Sequence, residues 1–202
     1  MKKFLHVGSG HKRKEHTTPG FNTSNWSEIR LDIDPEVKPD IVGSLTDMSA
    51  VDDGSMQAVF SSHNIEHLYP HEVPLALAEF KRLLADDGFV VVTCPDLKSV
   101  AKLIAEDKLT DTAYVSGMGP ITPLDIVYRH GASVARGNYY MAHRGGFTLK
   151  TLLAAFHRVG FGATGGIERP RSFDLWVLAT KTKIDGDSFR ELARRHLPLS
   201  KT

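Results

Sequence analysis

Short apolar runs separated by polar stretches set the pattern of this chain. The runs predict strands at residues 4–7, 28–33, 40–43, 58–61, 89–93 and 175–179. Val90, Val91 and Val92 follow one another without a polar break, which is typical of a strand buried on both faces of a parallel sheet. The pattern therefore indicates a sheet whose centre is covered on both sides.

Helix signals fall between and after these strands. Residues 71–84 carry apolar side chains at helical spacing, and Gly88 is placed to end that helix. Asp96 and Thr148 are the predicted N-caps of two further helices. A capping-box pattern at residues 188–191 predicts a last, C-terminal helix.

This alternation predicts an α/β fold with a twisted, mostly parallel central sheet. Two connections are short for a parallel crossover. Residues 11–27 lack an amphipathic face, and five residues separate Asp34 from Asp40. Either helices have been reduced after the first two strands, or one strand assignment is wrong.

Residues 108–146 break the alternation. The segment is rich in glycine, proline and tyrosine, and it includes Tyr139 and Tyr140. A loop of this length is usually functional or disordered, and its aromatic side chains argue against disorder. We therefore expect one domain over residues 1–202, with an insertion or cap at about 108–146.

The end of the first strand carries the first candidate chemistry. The strand runs straight into Gly8-Ser9-Gly10, and the second strand leads to Asp32, 22 residues after Gly10. Glycine adopts positive φ and lets a ligand approach the backbone closely. A carboxylate at the next strand end can bind a ribose diol, and ligands of open α/β sheets bind at this edge. The pair predicts an adenosine-type pocket, although Arg13 replaces the third glycine of a dinucleotide fingerprint.

Polar residues at 61–68 close the fourth strand at the same edge. His63, His67 and His71 stand four residues apart, which on a continuous helix would align three imidazoles. Pro70 interrupts such a helix, and no cysteine completes a zinc set. We therefore expect no metal, and the histidines can face a ligand, face solvent or pack in the core.

Four motifs together resemble the class I S-adenosylmethionine-dependent methyltransferases, of the small type 11 kind. They lie at residues 6–10, 31–35, 39–45 and 61–68. The resemblance covers residues 3–106 well and 147–181 loosely. It implies a Rossmann-like three-layer α/β sandwich, S-adenosylmethionine as cofactor, and methyl transfer to a small-molecule or glycan-like acceptor.

The resemblance also implies roles for individual residues. The Gly8-Ser9-Gly10 turn would lie against the methionine moiety and ribose of the cofactor. Asp32 would hold the ribose hydroxyls, and Ile33 would pack on the adenine. Leu45 would offer its backbone at the adenine edge, and His63 would stand near the cofactor.

Methyl transfer needs a base only if the acceptor loses a proton in the transition state. His67, Glu66 and His143 are the candidates for that role, and each of them can instead be structural or face solvent. Tyr139 and Tyr140 can line an acceptor pocket or simply pack the insertion onto the sheet.

The amino-acid composition limits the classes of binding partner that this chain is expected to have. The 25 basic residues nearly balance 24 acidic ones, so no global field favours nucleic acid or an anionic membrane. No apolar run approaches the roughly 20 residues of a membrane helix. The lone Cys94 excludes an internal disulfide and favours a reducing, cytoplasmic setting. The oligomeric state stays open.

Two other functions stay open from the sequence. A non-catalytic S-adenosylmethionine-binding module would share these motifs, and Ser44 stands where the resembled family often has an acid. A nicotinamide-dependent oxidoreductase would share the glycines and the acid. Against it, none of the five tyrosines is followed by a lysine four residues later.

Overall fold

A computed structural model describes residues 1–117, 119–129 and 131–199 of the chain. Its strands are β1 (Lys2–Val7), β2 (Trp26–Asp32), β3 (Ile41–Val42), β4 (Met56–Ser62), β5 (Leu84–Pro95), β6 (Tyr114–Ser116), β7 (Gly119–Ile121), β8 (Ala163–Arg169) and β9 (Asp174–Thr180). Seven of them form one sheet in the order β3-β2-β1-β4-β5-β9-β8, and β6 and β7 form a separate hairpin. β9 runs antiparallel to β5 and β8, while β1 to β5 pair in parallel. The predicted α/β fold with a mostly parallel sheet is confirmed.

The helices flank this sheet. They are α1 (Val73–Leu83), α2 (Leu97–Ala105), α3 (Pro123–Tyr128), α4 (Gly131–Ala135), α5 (Leu149–Val159) and α6 (Gly186–His196). Short 3-10 turns lie at Lys14–His16, Pro35–Val37, Ile65–His67 and Tyr139–Met141. Among the described residues, no helix combines the length and the apolar character that crossing a membrane requires.

Each face of the sheet carries its own apolar core, because alternate residues of a strand point to opposite sides. Leu5 and Val7 of β1 pack in the core that α1 and α5 cover. Phe4, the residue before Leu5, points to the other side and packs with Phe21 and Trp26 in the core that α6 covers. Helix, sheet and helix thus form the three layers that the sequence predicted.

Side-chain hydrogen bonds, rather than α-helices, support the connections that follow the first two strands. β1 and β2, and then β2 and β3, pair in parallel although only a 3-10 turn lies in each connection. The buried Arg30 donates from Nη1 to the Lys38 carbonyl at 2.9 Å and from Nη2 to the Val37 carbonyl at 3.0 Å. The Asp34 carboxylate accepts the Glu36 N–H at 2.9 Å. These bonds satisfy backbone groups that a helix would otherwise pair, so both strand assignments hold and the helices are reduced.

Two helix caps form as predicted. The Asp96 carboxylate accepts the Lys98 N–H at 3.0 Å, and the Thr148 hydroxyl accepts the Thr151 N–H at 3.4 Å. Each bond satisfies one N–H that has no partner within the helix.

Three details of the sequence prediction are wrong. Gly88 does not end α1, because β5 follows that helix directly. Gly88 lies where β5 bulges against β4, and a Cβ there would meet the Ala85 carbonyl oxygen at 2.9 Å. Asp185, not Ser188, is the N-cap of α6, since its carboxylate accepts two of the first N–H groups. The strand β8 was missed, because its two glycines leave no apolar run.

The 108–146 segment contains β6, β7, α3 and α4 and packs beside α2. Val100 of α2 forms a small buried cluster with Ile121 and Ile126 of the segment. At its end, the N–H groups of Arg144 and Gly145 donate to the Glu66 carbonyl at 2.9 and 3.0 Å. The segment is thereby tied to the carboxyl edge of the sheet. That it acts as a cap on one domain of 1–202 stays a prediction.

Candidate active site

The glycine turn lies at the carboxyl end of β1 and is tied to the end of β2. Gly8 and Gly10 have φ of 63° and 53°, which favour glycine over other residues. The Gly8 N–H donates to the Leu31 carbonyl at 2.8 Å, and the Gly10 N–H donates to Asp32 Oδ2 at 2.7 Å. Beside Gly10, the space a Cβ would take has no neighbour within 4 Å among the described residues. This is the open side of the turn.

Asn64 fills the space beside Gly8. A Cβ at position 8 would lie 2.1 Å from Asn64 Oδ1. Asn64 Nδ2 donates to the carbonyls of Val7 and Ser62, both at 3.0 Å, and so joins the ends of β1 and β4. Sequence reasoning missed this residue, although its place directly after the fourth strand was a signal.

Asp32 and Ile33 form a polar and an apolar surface side by side. Asp32 is 8% exposed, and its Oδ1 accepts the Asp34 N–H at 3.0 Å. Each of its oxygens makes one protein hydrogen bond and keeps a second lone pair. Ile33, directly after Asp32, is 42% exposed. This pair matches a ribose diol and a flat base.

Other predicted cofactor residues take less exposed positions. The Ser9 side chain is buried, and its hydroxyl lies 3.4 Å from the Gly10 carbonyl oxygen, so this residue would meet a ligand through its backbone. Leu45 is half-buried against the core. Arg30, which sequence reasoning missed, donates from Nη2 to the Gly10 carbonyl. A charged residue inside an apolar strand was the signal for it.

Glu66, His67 and His143 come together beside this edge; we call these three residues the Glu-His cluster. Glu66 and His67 lie in the 3-10 turn after β4, and His143 comes from the end of the 108–146 segment. The Glu66 side chain is 1% exposed, and neither of its oxygens has a hydrogen-bond partner among the described residues. His143 Nε2 lies 3.9 Å from Glu66 Oε1, and the two imidazole centroids are 5.0 Å apart.

Backbone carbonyls fix the tautomers of both imidazoles. His67 Nδ1 donates to the Ala142 carbonyl at 3.1 Å, and His143 Nδ1 donates to the Ile126 carbonyl at 2.9 Å. A carbonyl only accepts, so Nδ1 carries the proton and Nε2 keeps a free lone pair in the neutral ring. Both rings therefore offer Nε2 as a base or a ligand.

The charges of the cluster follow from burial and from each other. Burial lowers the pKa of His67 and lowers the pKa of His143 to about 4. Burial opposes ionisation of Glu66, but the contact with His63 and the neighbouring imidazoles outweigh it and lower the pKa of Glu66. The Arg129 guanidinium adds to the lowering at both histidines. At neutral pH the cluster is one carboxylate beside two neutral imidazoles.

His63 stands at the rim of the cluster. Its Nδ1 lies 3.4 Å from Glu66 Oε1, within ion-pair distance, and its side chain is 42% exposed. Its φ of 57° is uncommon for a residue other than glycine and is often held at functional sites. His71 does not join this group, because the 3-10 turn breaks the helical spacing; it is exposed and stacks on Tyr69.

Comparison with known proteins adds to this geometry. Residues 7–92, which contain the glycine turn, Asp32 and Glu66, match the family model described as a methyltransferase domain, of type 11. This match supports the resemblance to the class I S-adenosylmethionine-dependent methyltransferases of type 11. No curated protein sequence matches it.

Solved structures of methyltransferases share the fold of this methyltransferase. A SAM-dependent methyltransferase from Archaeoglobus fulgidus is 15% identical, with a TM-score of 0.58 over 89% of this chain and 86% of that one. A TehB-like SAM-dependent methyltransferase from Corynebacterium glutamicum is 18% identical, with a TM-score of 0.52 over 90% and 80%. At these identities the likeness concerns the fold.

The carboxyl edge of this methyltransferase fits its cofactor, S-adenosylmethionine. Gly10 leaves open backbone, Asp32 keeps free acceptor lone pairs, and Ile33 exposes an apolar surface beside them. These three features would suit the three parts of a nucleoside with a chain on its ribose. The predicted cofactor class therefore agrees with the residues that are present.

Two residues that were predicted either to line an acceptor pocket or to pack the insertion lie on the outside of the 108–146 segment. Tyr139 and Tyr140 are 68% and 61% exposed, so neither packs the segment onto the sheet. Arg144 places its guanidinium over the Tyr69 ring, 5.0 Å from the centroid.

Proposed function

We propose that this methyltransferase methylates a small-molecule or glycan-like acceptor that binds between the glycine turn and the 108–146 segment. The observation that carries this proposal is the Glu-His cluster at the carboxyl edge. A buried carboxylate beside neutral imidazoles suits an acceptor that must lose a proton, such as a hydroxyl group. The near balance of charge, +1 over 202 residues, favours such an acceptor over nucleic acid.

The cofactor would be held by the residues of the β1, β2 and β4 ends. Gly8, Ser9 and Gly10 would contact it through the backbone, and Asp32 would accept hydrogen bonds from the ribose hydroxyls. Residues that would complete the site are Ile33, Leu45 and His63. When bound, S-adenosylmethionine supplies an electrophilic methyl group on a sulfonium.

The proton of the acceptor would pass to His67 Nε2. His143 Nε2 is buried, whereas the Nδ1 bond of His67 to the Ala142 carbonyl keeps the His67 ring in place. The Glu66 carboxylate stabilises the resulting imidazolium, since opposite charges in a buried site attract strongly. His143 Nε2 lies 3.9 Å from the same carboxylate, beyond hydrogen-bond distance. The rest of the rate enhancement comes from aligning the acceptor with the methyl group, because positioning alone can supply much of the rate.

Calorimetry and a transfer assay test these roles separately. The purified protein is titrated with S-adenosylmethionine and with its demethylated product, and then incubated with a panel of phenols, hydroxy acids and sugars. We expect binding well below millimolar and release of demethylated cofactor with at least one acceptor. Absence of binding would contradict the assigned cofactor residues, and release with none of the acceptors would contradict the acceptor class.

His67→Gln tests the base, with His71→Gln as its control. We expect His67→Gln to bind the cofactor as the wild type does and to lose about 10²–10⁴-fold in kcat. His71 lies outside the cluster and is exposed, so its variant should keep both. If His67→Gln turns over like the control, His67 is not the proton acceptor.

A further inference from the structure

We propose that the Glu-His cluster binds a divalent transition-metal ion. Glu66, His67 and His143 each offer one ligand atom, and these atoms all lie within 4.8 Å of one another. Nitrogen and oxygen bind zinc at roughly 2.0–2.2 Å, so the three side chains would have to rotate toward an ion placed between them. The inference concerns the site to which the proposed function assigns proton removal, and it rests on that function for its catalytic meaning only.

Unpaired buried atoms are the first support for an ion. Both Glu66 oxygens and His143 Nε2 are buried without a hydrogen-bond partner among the described residues. His63 Nδ1 reaches only ion-pair distance of Glu66 Oε1, at 3.4 Å. A carboxylate without hydrogen bonds is costly to bury, and buried charges in proteins are paired or bind metals. An ion between these atoms would satisfy all three at once.

The outer hydrogen bonds are the second support. Metal-binding histidines typically donate their other ring N–H to a carbonyl or carboxylate, which fixes the tautomer and the ring orientation. His67 and His143 both do so, to the carbonyls of Ala142 and Ile126. The two bonds come from different parts of the 108–146 segment, so that segment supports both candidate ligands.

The donor set selects the type of ion. Two imidazoles and one carboxylate suit zinc, iron, cobalt or nickel, whereas calcium and magnesium take mainly oxygen ligands. Arg129 is a further charged group near Glu66; its positive charge opposes any cation at the cluster, so binding depends on coordination by the two imidazoles and the carboxylate. Three protein ligands leave an open position, as in catalytic metal sites.

An ion at this position would change how the acceptor loses its proton. In the metal-free protein, His67 Nε2 takes the proton; in the loaded protein that lone pair binds the ion. An acceptor hydroxyl at the open position would then be acidified, as a metal-bound water is, and would release its proton to solvent.

The sequence expectation was the opposite, and the reason is clear. It considered only the spacing of His63, His67 and His71, which Pro70 interrupts, and found no cysteine to complete a zinc set. The second imidazole of the proposed site, His143, comes from a distant segment whose path the sequence does not show.

Metal binding to the purified chain, freed of any histidine tag, tests the inference directly. After chelator treatment, the protein is titrated with Zn²⁺ against a chromophoric chelator and with Co²⁺ by visible absorption. We expect about one equivalent of either ion, with Co²⁺ bands of a low-coordinate nitrogen and oxygen site. Wild-type protein that binds neither ion, or shows only the spectrum of aqueous Co²⁺, would overturn the inference.

Matched variants locate the ion. Glu66→Gln and His143→Gln should each weaken Zn²⁺ binding at least tenfold, whereas His71→Gln and His157→Gln should bind like the wild type because both residues lie outside the cluster. Equal loss in all four variants, or in none, would place the ion elsewhere. Binding of S-adenosylmethionine by each variant shows that it is folded.

The same titration separates this inference from the proposed function. Metal-free protein that binds the cofactor and methylates an acceptor, while taking up no ion, would refute the metal site alone. Protein that takes up the ion at the cluster but transfers no methyl group would leave the metal site standing and refute the acceptor proposal.

Discussion

The Asp32 carboxylate accepts the N–H of Gly10 at 2.7 Å, across the gap between β1 and β2. The residue proposed to hold the ribose therefore also holds the glycine turn in place. Its second oxygen accepts the Asp34 N–H, so the end of β2 and the turn share one side chain. Cofactor affinity and local stability are coupled through Asp32.

Asp32→Asn separates these two roles. The amide keeps one acceptor oxygen for a backbone N–H but loses the charge and one acceptor. We expect S-adenosylmethionine affinity to fall by about 1.5–3 kcal/mol, the value of a hydrogen bond to a charged group, with a smaller loss in the free energy of unfolding. Calorimetry and urea unfolding measure the two. Asp34→Asn, a residue with no proposed cofactor role, is the control; equal affinities in both variants would put the ribose elsewhere.

Gly8→Ala should mainly lower the stability of the protein, and Gly10→Ala should mainly weaken its binding of the cofactor. Both place a Cβ at positive φ, which costs about 1–2 kcal/mol. At position 8 the new atom also meets Asn64, so we expect a larger loss of stability there. At position 10 the space is open, so the protein should stay folded while cofactor binding falls. Thermal unfolding and calorimetry on both variants give the comparison.

A double variant checks the cause of the larger loss. Asn64→Ala should recover part of the stability of Gly8→Ala, because it removes the atoms that clash. Strict additivity of the two changes would show that the clash is not the reason.

Arg30→Leu should lower the free energy of unfolding by about 2–4 kcal/mol. The buried guanidinium donates to the carbonyls of Gly10, Val37 and Lys38, and buried acceptors left unpaired cost about 1–3 kcal/mol each before relaxation and water entry. Urea unfolding measures the loss, with Lys38→Ala as an exposed control. A loss no larger than that of the control would mean that water replaces the guanidinium at little cost.

His196 should make stability fall in mild acid. Burial, with the charges of Arg195 and Lys2, lowers its pKa to about 4, against about 6.5 in an unfolded chain. Between about pH 6.5 and pH 4, His196 is protonated in the unfolded state but not in the folded state. The free energy of unfolding is therefore highest above pH 6.5 and falls as the pH is lowered toward 4. The loss in the free energy of unfolding, complete below about pH 4, is about 3 kcal/mol.

His196→Phe checks this pH dependence by urea unfolding at pH 7 and pH 5. The ring packs against Phe21 and Phe89, and phenylalanine keeps that packing while removing the titration. We expect a smaller drop between the two pH values than in the wild type. His143, whose pKa is also about 4, keeps part of the slope, and an unchanged slope would exclude His196 as a source.

The sheet and the cofactor edge were predictable because their signals are local. Val90, Val91 and Val92 mark the buried strand by composition alone, and the spacing of Gly10 and Asp32 places both at one edge. The strand β8 gave no such signal, since Gly165 and Gly166 interrupt it.

Partners distant in sequence explain what sequence reasoning missed. Asn64 and Arg30 act through the backbone carbonyls of other strands and turns, which no spacing rule identifies. His143 reaches Glu66 only because the 108–146 segment returns to the sheet edge. The candidate residues could be identified from the sequence, but it could not be predicted that they lie next to one another.

The bonds of Arg30 carry a consequence for motion. One guanidinium joins the turn at Gly10 to the connection at Val37 and Lys38, so neither stretch can open without releasing the other. In hydrogen exchange the amides of both stretches should therefore belong to one cooperative opening unit. Where other folds of this layout would have two independent helices, this chain has two loops that open together.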